Sequence, residues 1–439
     1  MSPKRNTFAR LAAALCALLL LVGCSGSLQG IGAPPLPASE NDAAARLPGS
    51  YTTGLIANLA DLDPTDTFFL QQSFEQGRLY SNHKIRIVSL KGSWQDMGRQ
   101  YGALLGRHIK EMRAAVSKQL LQAGIARSEA DLTAFAAKLA PLYPPRFQAM
   151  LQGVRQTSGL PASDMAVLNG FFDFILSTQN AQATCAAIAA WEPVSGDGRL
   201  VLGRNFDFAP FFKNFAPQLV ITVLNPDDGS TPTASIGYAG QLGSISTFNA
   251  AGLTLENNNG ALNGDTTRHF LQRTPFLARD VELLLDNRTL DALGEQTAKL
   301  QMAFPLLYMV TDARRAVVYE AGTERVARRD PAEPGLLVAS NTPLDPGWPA
   351  PPAAYKDIAQ DSRVRYDNLV RLARAYKAAL DDRVMMAILD TPTEEGGATP
   401  KGNGHDTWQY VAVPADLRLW FKAPGYLDWT PVDLKKYFR

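Results

Sequence analysis

At Cys185 the apolar pattern of the chain changes period, from the 3.6-residue repeat of helices to the two-residue repeat of strands. A chain written this way must bury helix stripes and sheet faces in separate layers, which leaves few architectures open. Upstream, between Trp94 and about Phe174, the residues Met97, Tyr101, Leu104, His108, Met112 and Val116 recur at helical spacing. Gly98, Gly102 and Gly106 run along the same helix. Each costs up to ~1 kcal/mol relative to alanine, so the stripe predicts close packing against another backbone. Further helices are predicted over 128–139, 146–157 and 162–174. Downstream, short β-branched or alternating runs predict strands at 185–191, 200–206, 218–224, 233–238 and 243–248, separated by turn formers such as Asn225-Pro226-Asp227-Asp228-Gly229. Helices at 275–285 and 290–299 follow, then a hairpin of 307–311 with 316–320. Helices at 362–379 and 382–389 precede a last hairpin of 407–413 with 417–421. This order predicts an α+β fold over 185–439, an αββα four-layer sandwich, preceded by a helical domain over 51–184.

The N-terminus reads as an address. Lys4, Arg5 and Arg10 precede an unbroken apolar run over 11–22, too short to span a bilayer comfortably and suited to a secretory signal. The run ends in Leu21-Val22-Gly23-Cys24, which resembles the lipobox of bacterial lipoproteins. That resemblance implies removal of residues 1–23, a lipid on Cys24 and, with Ser25 following, an outer-membrane anchor facing the periplasm. Residues 24–50 are rich in Gly, Ala, Pro and Ser and read as a tether. A formal net charge of +1 argues against a nucleic-acid or polyanion surface. Three cysteines are present, of which Cys16 lies in the signal and Cys24 at the lipobox. Cys185 then has no partner for an internal disulfide, so it is either an inert buried residue or a nucleophile.

Its neighbours favour the nucleophile. The turn Val194-Ser195-Gly196-Asp197-Gly198 predicts a hairpin. If the turn is centred near Gly196, Asp207 falls across from Cys185 within a residue of register, with Arg204 close by. A thiol titrates near ~8.5 when unperturbed, and a nearby guanidinium favours the thiolate. Its base is either a histidine or, if the chain is cut before Cys185, the cysteine's own α-amine, whose reference pKa of ~7.7–8.0 suits proton exchange near neutral pH. Asp207 would orient that ammonium.

Thr184-Cys185-Ala186-Ala187-Ile188 followed by Gly203-Arg204-Asn205-Phe206-Asp207 is similar to the N-terminal-nucleophile cysteine hydrolases. These include the isopenicillin N acyltransferase-like peptidases, acid ceramidase with N-acylethanolamine acid amidase, and the choloylglycine hydrolases. The segment from Gly92-Ser93-Trp94 to Tyr101-Gly102 resembles the acyltransferase group's propeptide motif, and Phe248-Asn249-Ala250-Ala251-Gly252-Leu253 its Phe-Asn-x-x-Gly-Val segment. The resemblance implies Cys185 as nucleophile, its freed amine as base, and Arg204 and Asp207 orienting amine and scissile amide. It implies that Asn341 helps hold the oxyanion and that Arg363, in Ser362-Arg363, lies near the nucleophile, while Arg365 reads as solvated. The run Glu256-Asn257-Asn258-Asn259 blurs the register of a further oxyanion donor, with Asn259 favoured and Asn257 next. Self-cleavage of the Thr184–Cys185 bond is also implied, so the uncut precursor would be an inactive zymogen.

Other readings stay open. Phe206, Phe208, Phe211 and Phe212 are either core or an apolar acyl pocket beside the thiol. His83, His108, His269 and His405 show no metal-ligand spacing, and no cofactor signature stands out, so neither metal nor cofactor is expected. His405 is the best partner for a papain-like Cys–His pair, which would need no cleavage. The favoured function is a lipoprotein amidase or acyltransferase that opens a linear amide of a small N-acyl substrate through an S-acyl-Cys185 thioester. A phospholipase B-like ester hydrolase and a non-catalytic ligand-binding lipoprotein are the alternatives.

Overall fold

A computed structural model describes residues 49–178, 184–400 and 406–439. The signal, Cys24, nearly all of the tether and His405 lie outside the described residues. The chain opens with α1 (Ser50–Asn58), a meander of β1 (Phe69–Phe74), β2 (Gly77–Ser81) and β3 (Arg86–Gly92), and the long α2 (Trp94–Gln122). Then come α3 (Glu129–Leu139), α4 (Pro145–Ser158) and α5 (Ala162–Ser177). After Cys185 follow β4 (Ala186–Ala190), β5 (Val201–Asp207), β6 (Leu219–Pro226), β7 (Thr233–Tyr238), β8 (Ser246–Asn249) and β9 (Thr254–Asn259). Next are α6 (Phe276–Asp286), α7 (Leu290–Thr297), β10 (Leu306–Thr311), β11 (Ala316–Ala321), β12 (Val326–Arg329) and β13 (Leu336–Ala339). The last elements are α8 (Lys356–Ala375), α9 (Asp382–Asp390), β14 (Asp406–Val413), β15 (Arg418–Ala423) and β16 (Leu427–Asp433).

Two sheets result. One has ten strands in the order β1-β2-β3-β6-β7-β8-β9-β10-β11-β12, the other six in the order β13-β4-β5-β14-β15-β16. Strand β4 shows how the layers form. Ala187 and Ala189 belong to the core between the sheets, whereas Ala186, Ile188 and Ala190 pack with Leu369 and Leu372 of α8 and Met385 and Leu389 of α9. Period-two alternation of small and branched side chains thus buries both faces of one strand. On the far side of the larger sheet, α2 packs on β2, β3 and β6, and α6 on β7, β8 and β9. The architecture is α+β, with helix, sheet, sheet and helix layers.

The expected helical domain over 51–184 needs correction. Strands β1–β3 come first, and β3 pairs in parallel with β6, so this region shares a sheet with the strands beyond Cys185. Residues 48–439 form one compact unit. The signal was weak because Ile87, Val88 and Leu90 of β3 are all fully buried, which erases the alternation that marks a half-exposed strand. The glycine stripe behaves as expected at two of its three positions. A methyl group on Gly98 would sit 2.1 Å from the Met150 carbonyl oxygen, and one on Gly102 2.5 Å from that of Val154, both on α4. At Gly106 the nearest atom is 3.6 Å away, so the contact there is ordinary.

Candidate active site

Cys185 lies just before β4 with its side chain buried, and it is a free thiol. In the β4–β5 hairpin Ala187 faces Arg204 and Ala186 faces Asn205, which places Phe206, not Asp207, across from Cys185. The register differs from the centred turn by one residue, and in a sheet such a slip exchanges faces. Arg204 and Phe206 share the inner face with Cys185. Asn205 points outward, its amide reaching the Thr399 hydroxyl at 2.7 Å. Asp207 stays close through its backbone. Its carbonyl accepts from the Thr184 N–H at 3.3 Å and from the Cys185 thiol at 3.9 Å.

Arg204 is fully buried and pairs with Glu256, equally buried, while its second arm donates to the Asn257 carbonyl. Burial pushes the Glu256 carboxyl up to about 7, against the pull of Arg204. Burial also pushes the Cys185 thiol up; Arg204 draws it down, and Glu256 adds to the rise. In the uncut chain desolvation outweighs the guanidinium, so the expected thiolate is not favoured there. The thiol is held neutral.

The arginine near the nucleophile is Arg365, which corrects the expectation for both arginines. Arg365 is fully buried, donates to the Cys185 carbonyl at 2.8 Å and to the Asn341 amide oxygen at 3.1 Å, and pairs with Asp361. Arg363 is 55% exposed and pairs with Asp367. Helical phase explains the exchange. Ser362, Arg365, Leu369 and Leu372 form the buried stripe of α8, and Arg363 lies off it. The stripe is visible in the sequence, but an arginine is among the residues least expected on a buried one.

Asn341 is buried beside this arginine. Its amide nitrogen donates to the Asn259 carbonyl at 2.9 Å, and its backbone N–H to the Ser362 hydroxyl at 3.0 Å. Asn257 and Asn259 both line the cleft that contains Cys185. The Asn259 amide oxygen accepts from the Ala261 N–H at 2.9 Å, whereas the Asn257 amide nitrogen is held by Asp280 of α6. Asn258 instead points to the smaller sheet, at the Ser340 carbonyl. Glu256 and Asp280 were missed as site residues. Strand alternation over 254–259 is the signal that could have paired Glu256 with Arg204.

Phe206 and Phe208 line the same cleft, with Phe172 and Leu176 of α5 and Phe276 of α6 opposite. Phe211 and Phe212 do not reach it. The Phe212 ring packs instead between Phe208 and Phe215, with centroids 4.5 and 5.2 Å away. The free space in the cleft is only ≈ 20 Å³, about the room of one water molecule. The cleft thus brings a sulfur atom together with Asn257, Asn259 and an apolar wall, within reach of the charges of Arg204 and Arg365.

No family model matches the chain. An uncharacterized protein of Archaeoglobus fulgidus is 26% identical over 194 residues, 38% of this chain and only 32% of that relative's own length. Among solved structures, the chain is similar to the Caenorhabditis elegans ortholog of N-acylethanolamine-hydrolyzing acid amidase, at 16% identity and a TM-score of 0.39, over 57% of this chain and 100% of that one. It is similar to penicillin V acylase from Agrobacterium tumefaciens at 10% identity and a TM-score of 0.40, over 57% and 87% of the two chains. A variant of conjugated bile acid hydrolase from Clostridium perfringens gives 13% identity and a TM-score of 0.39, over 57% and 93%.

Proposed function

We propose that this chain is a self-processing amidase of the N-terminal-nucleophile class, with Cys185 as its nucleophile and a lipid on Cys24 tethering it to the outer membrane. One observation carries the reading: a buried thiol at the start of a strand shares its cleft with Asn257 and Asn259 and feels two buried arginines, one of which also holds Asn341. An inert core cysteine has no need of such a setting. The motif resemblance around Thr184-Cys185 and Arg204-Asn205-Phe206-Asp207 points the same way.

In the processing step the Cys185 sulfur attacks the Thr184 carbonyl carbon, the peptide C–N bond breaks, and the nitrogen leaves as the α-amine of Cys185. Water then hydrolyses the Thr184 thioester and regenerates the thiol. Cleavage would also release the Thr184 N–H from the Asp207 carbonyl, leaving that acceptor to the new ammonium. In turnover the amine takes the thiol proton as sulfur adds to the substrate amide carbon. Carboxamide N–H groups stabilise the oxyanion, a contribution of ~2.7–4 kcal/mol for one well-placed donor. The ammonium returns its proton to the departing amine, and water, or an amine acceptor, opens the S-acyl-cysteine. Phe206, Phe208, Phe172 and Phe276 suit an apolar acyl group.

Intact mass and N-terminal sequencing of the purified protein test this reading. The expected result is a lipidated fragment ending at Thr184 and a second beginning at Cys185, with Cys185→Ala remaining whole and inactive. An active preparation with residues 184 and 185 still joined would overturn it. The narrow cleft and the neutral thiol favour a second reading, a non-catalytic binding protein, which predicts an intact chain and slow labelling by iodoacetamide.

A further inference from the structure

Behind the cleft wall lies a carboxylate that the proposed chemistry does not use. Asp280 of α6 is fully buried, one helical turn beyond Phe276, which lines the cleft. Its Oδ1 accepts from the Tyr308 hydroxyl at 2.9 Å, and its Oδ2 accepts from the Asn257 amide nitrogen. Tyr308 and Asn257 are cross-strand partners on β10 and β9, so one carboxylate grips two neighbouring side chains of the sheet. Asn257 is held elsewhere as well. Its carbonyl accepts from Arg204, and its backbone N–H donates to the Ile245 carbonyl at 3.3 Å. Both oxygens of Asp280 accept, one from Tyr308 and one from the Asn257 nitrogen, so the carboxamide is held with its nitrogen toward Asp280. One N–H of that amide is taken by Asp280, and Asn257 is among the residues that line the cleft. Asn259 lacks such a clamp: its side chain closes a local turn onto Ala261.

Resting on the amidase reading above, we propose that Asp280 is a positioning residue for the oxyanion donor, and that this donor is Asn257. Preorganised donors act because they need no reorganisation as charge develops on the substrate oxygen. Asp280 supplies that preorganisation from outside the cleft, without touching substrate.

Two reactions of the same sulfur separate this role from a merely structural one. Acylation by p-nitrophenyl hexanoate passes through a tetrahedral oxyanion, whereas alkylation by iodoacetamide does not. In the purified full-length protein, Asp280→Leu is expected to slow acylation of Cys185 by ~10–100-fold, below the full loss of a donor, while alkylation stays within about twofold. Asp280→Asn, whose amide oxygen can still accept from Asn257, should recover most of the acylation rate. In an Asn257→Ala background, Asp280→Leu should add no further loss. If Asp280→Leu does not fold, the near-isosteric Tyr308→Phe, which frees the other oxygen of Asp280, should show the same split on a smaller scale. Equal losses in both reactions, or none in either, would overturn the assignment. A wild-type Cys185 that neither reagent modifies would instead remove the amidase reading, and this proposal with it.

Discussion

The exchange between Arg363 and Arg365 shows how narrowly a site is drawn at the scale of residues. Two positions along a helix turn a side chain by about 200°. One arginine therefore meets the Cys185 carbonyl and Asn341, and the other meets water and Asp367. Arg365→Ala should block processing and turnover, because it leaves the Cys185 carbonyl and the Asn341 amide oxygen without a charged donor. Hydrogen bonds to charged groups contribute ~1.5–3 kcal/mol each, so a loss of that order in denaturant stability should accompany the block. Arg363→Ala should process and turn over as the wild type does, since exposed ion pairs contribute little. Gel analysis of processing in the two variants checks both statements, and a reversed pattern would return the role to Arg363.

At the scale of elements, the crossing of α2 and α4 shows what the glycine stripe is for. Gly98 abuts the Met150 carbonyl, and Gly153 answers from α4, where an added methyl group would lie 2.1 Å from the Gln95 carbonyl oxygen. Neither helix can carry a side chain at the contact. Gly98→Ala should cost ~1–3 kcal/mol through overpacking, whereas Gly106→Ala, with its neighbours at ordinary distance, should gain up to ~1 kcal/mol of helix propensity. Opposite shifts of the thermal midpoint in the two variants would bear this out. Equal shifts would mean that the helices separate freely.

For the whole molecule, what matters is that residues before and after the Thr184–Cys185 bond are built into one core. Strand β3 lies between β2 and β6, so the ten-stranded sheet contains chain from both sides of the bond. The two fragments of a processed protein should therefore co-elute under native conditions and part only in denaturant; early separation would contradict the shared sheet. The same union gives the molecule a pH dependence. Burial lifts Asp173 of α5 and Asp280 of α6 to about 8, with Asp280 pushing Asp173 further, and it lifts Glu256 to about 7. An unfolded chain would release these protons near ~4, so the folded state holds more protons between those limits. Stability from these groups is complete below ~4 and is lost as pH rises toward ~8. Urea midpoints should fall from pH 5 to pH 8.5, and Asp173→Asn, which has no proton to lose, should flatten the decline. A midpoint that rises over this range would show that other groups dominate.

Local rules made much of this molecule legible in its sequence. Period-two and 3.6-residue patterns marked most strands and helices after Trp94, and turn chemistry at Gly196 brought Cys185 beside Arg204 and Asp207. Residue spacing alone also gave the close helix crossing at Gly98 and Gly102. The inward face of Arg365, the pairing of Glu256 with Arg204, the clamp of Asp280 on Asn257 and the joining of β3 to β6 came only with the tertiary structure. The physical reason is distance along the chain. Dihedral preferences and apolar periodicity act over a few residues and are written locally. A buried charge is tolerable only if a partner from a remote strand or helix arrives to meet it, and nothing in its own segment says which partner that will be.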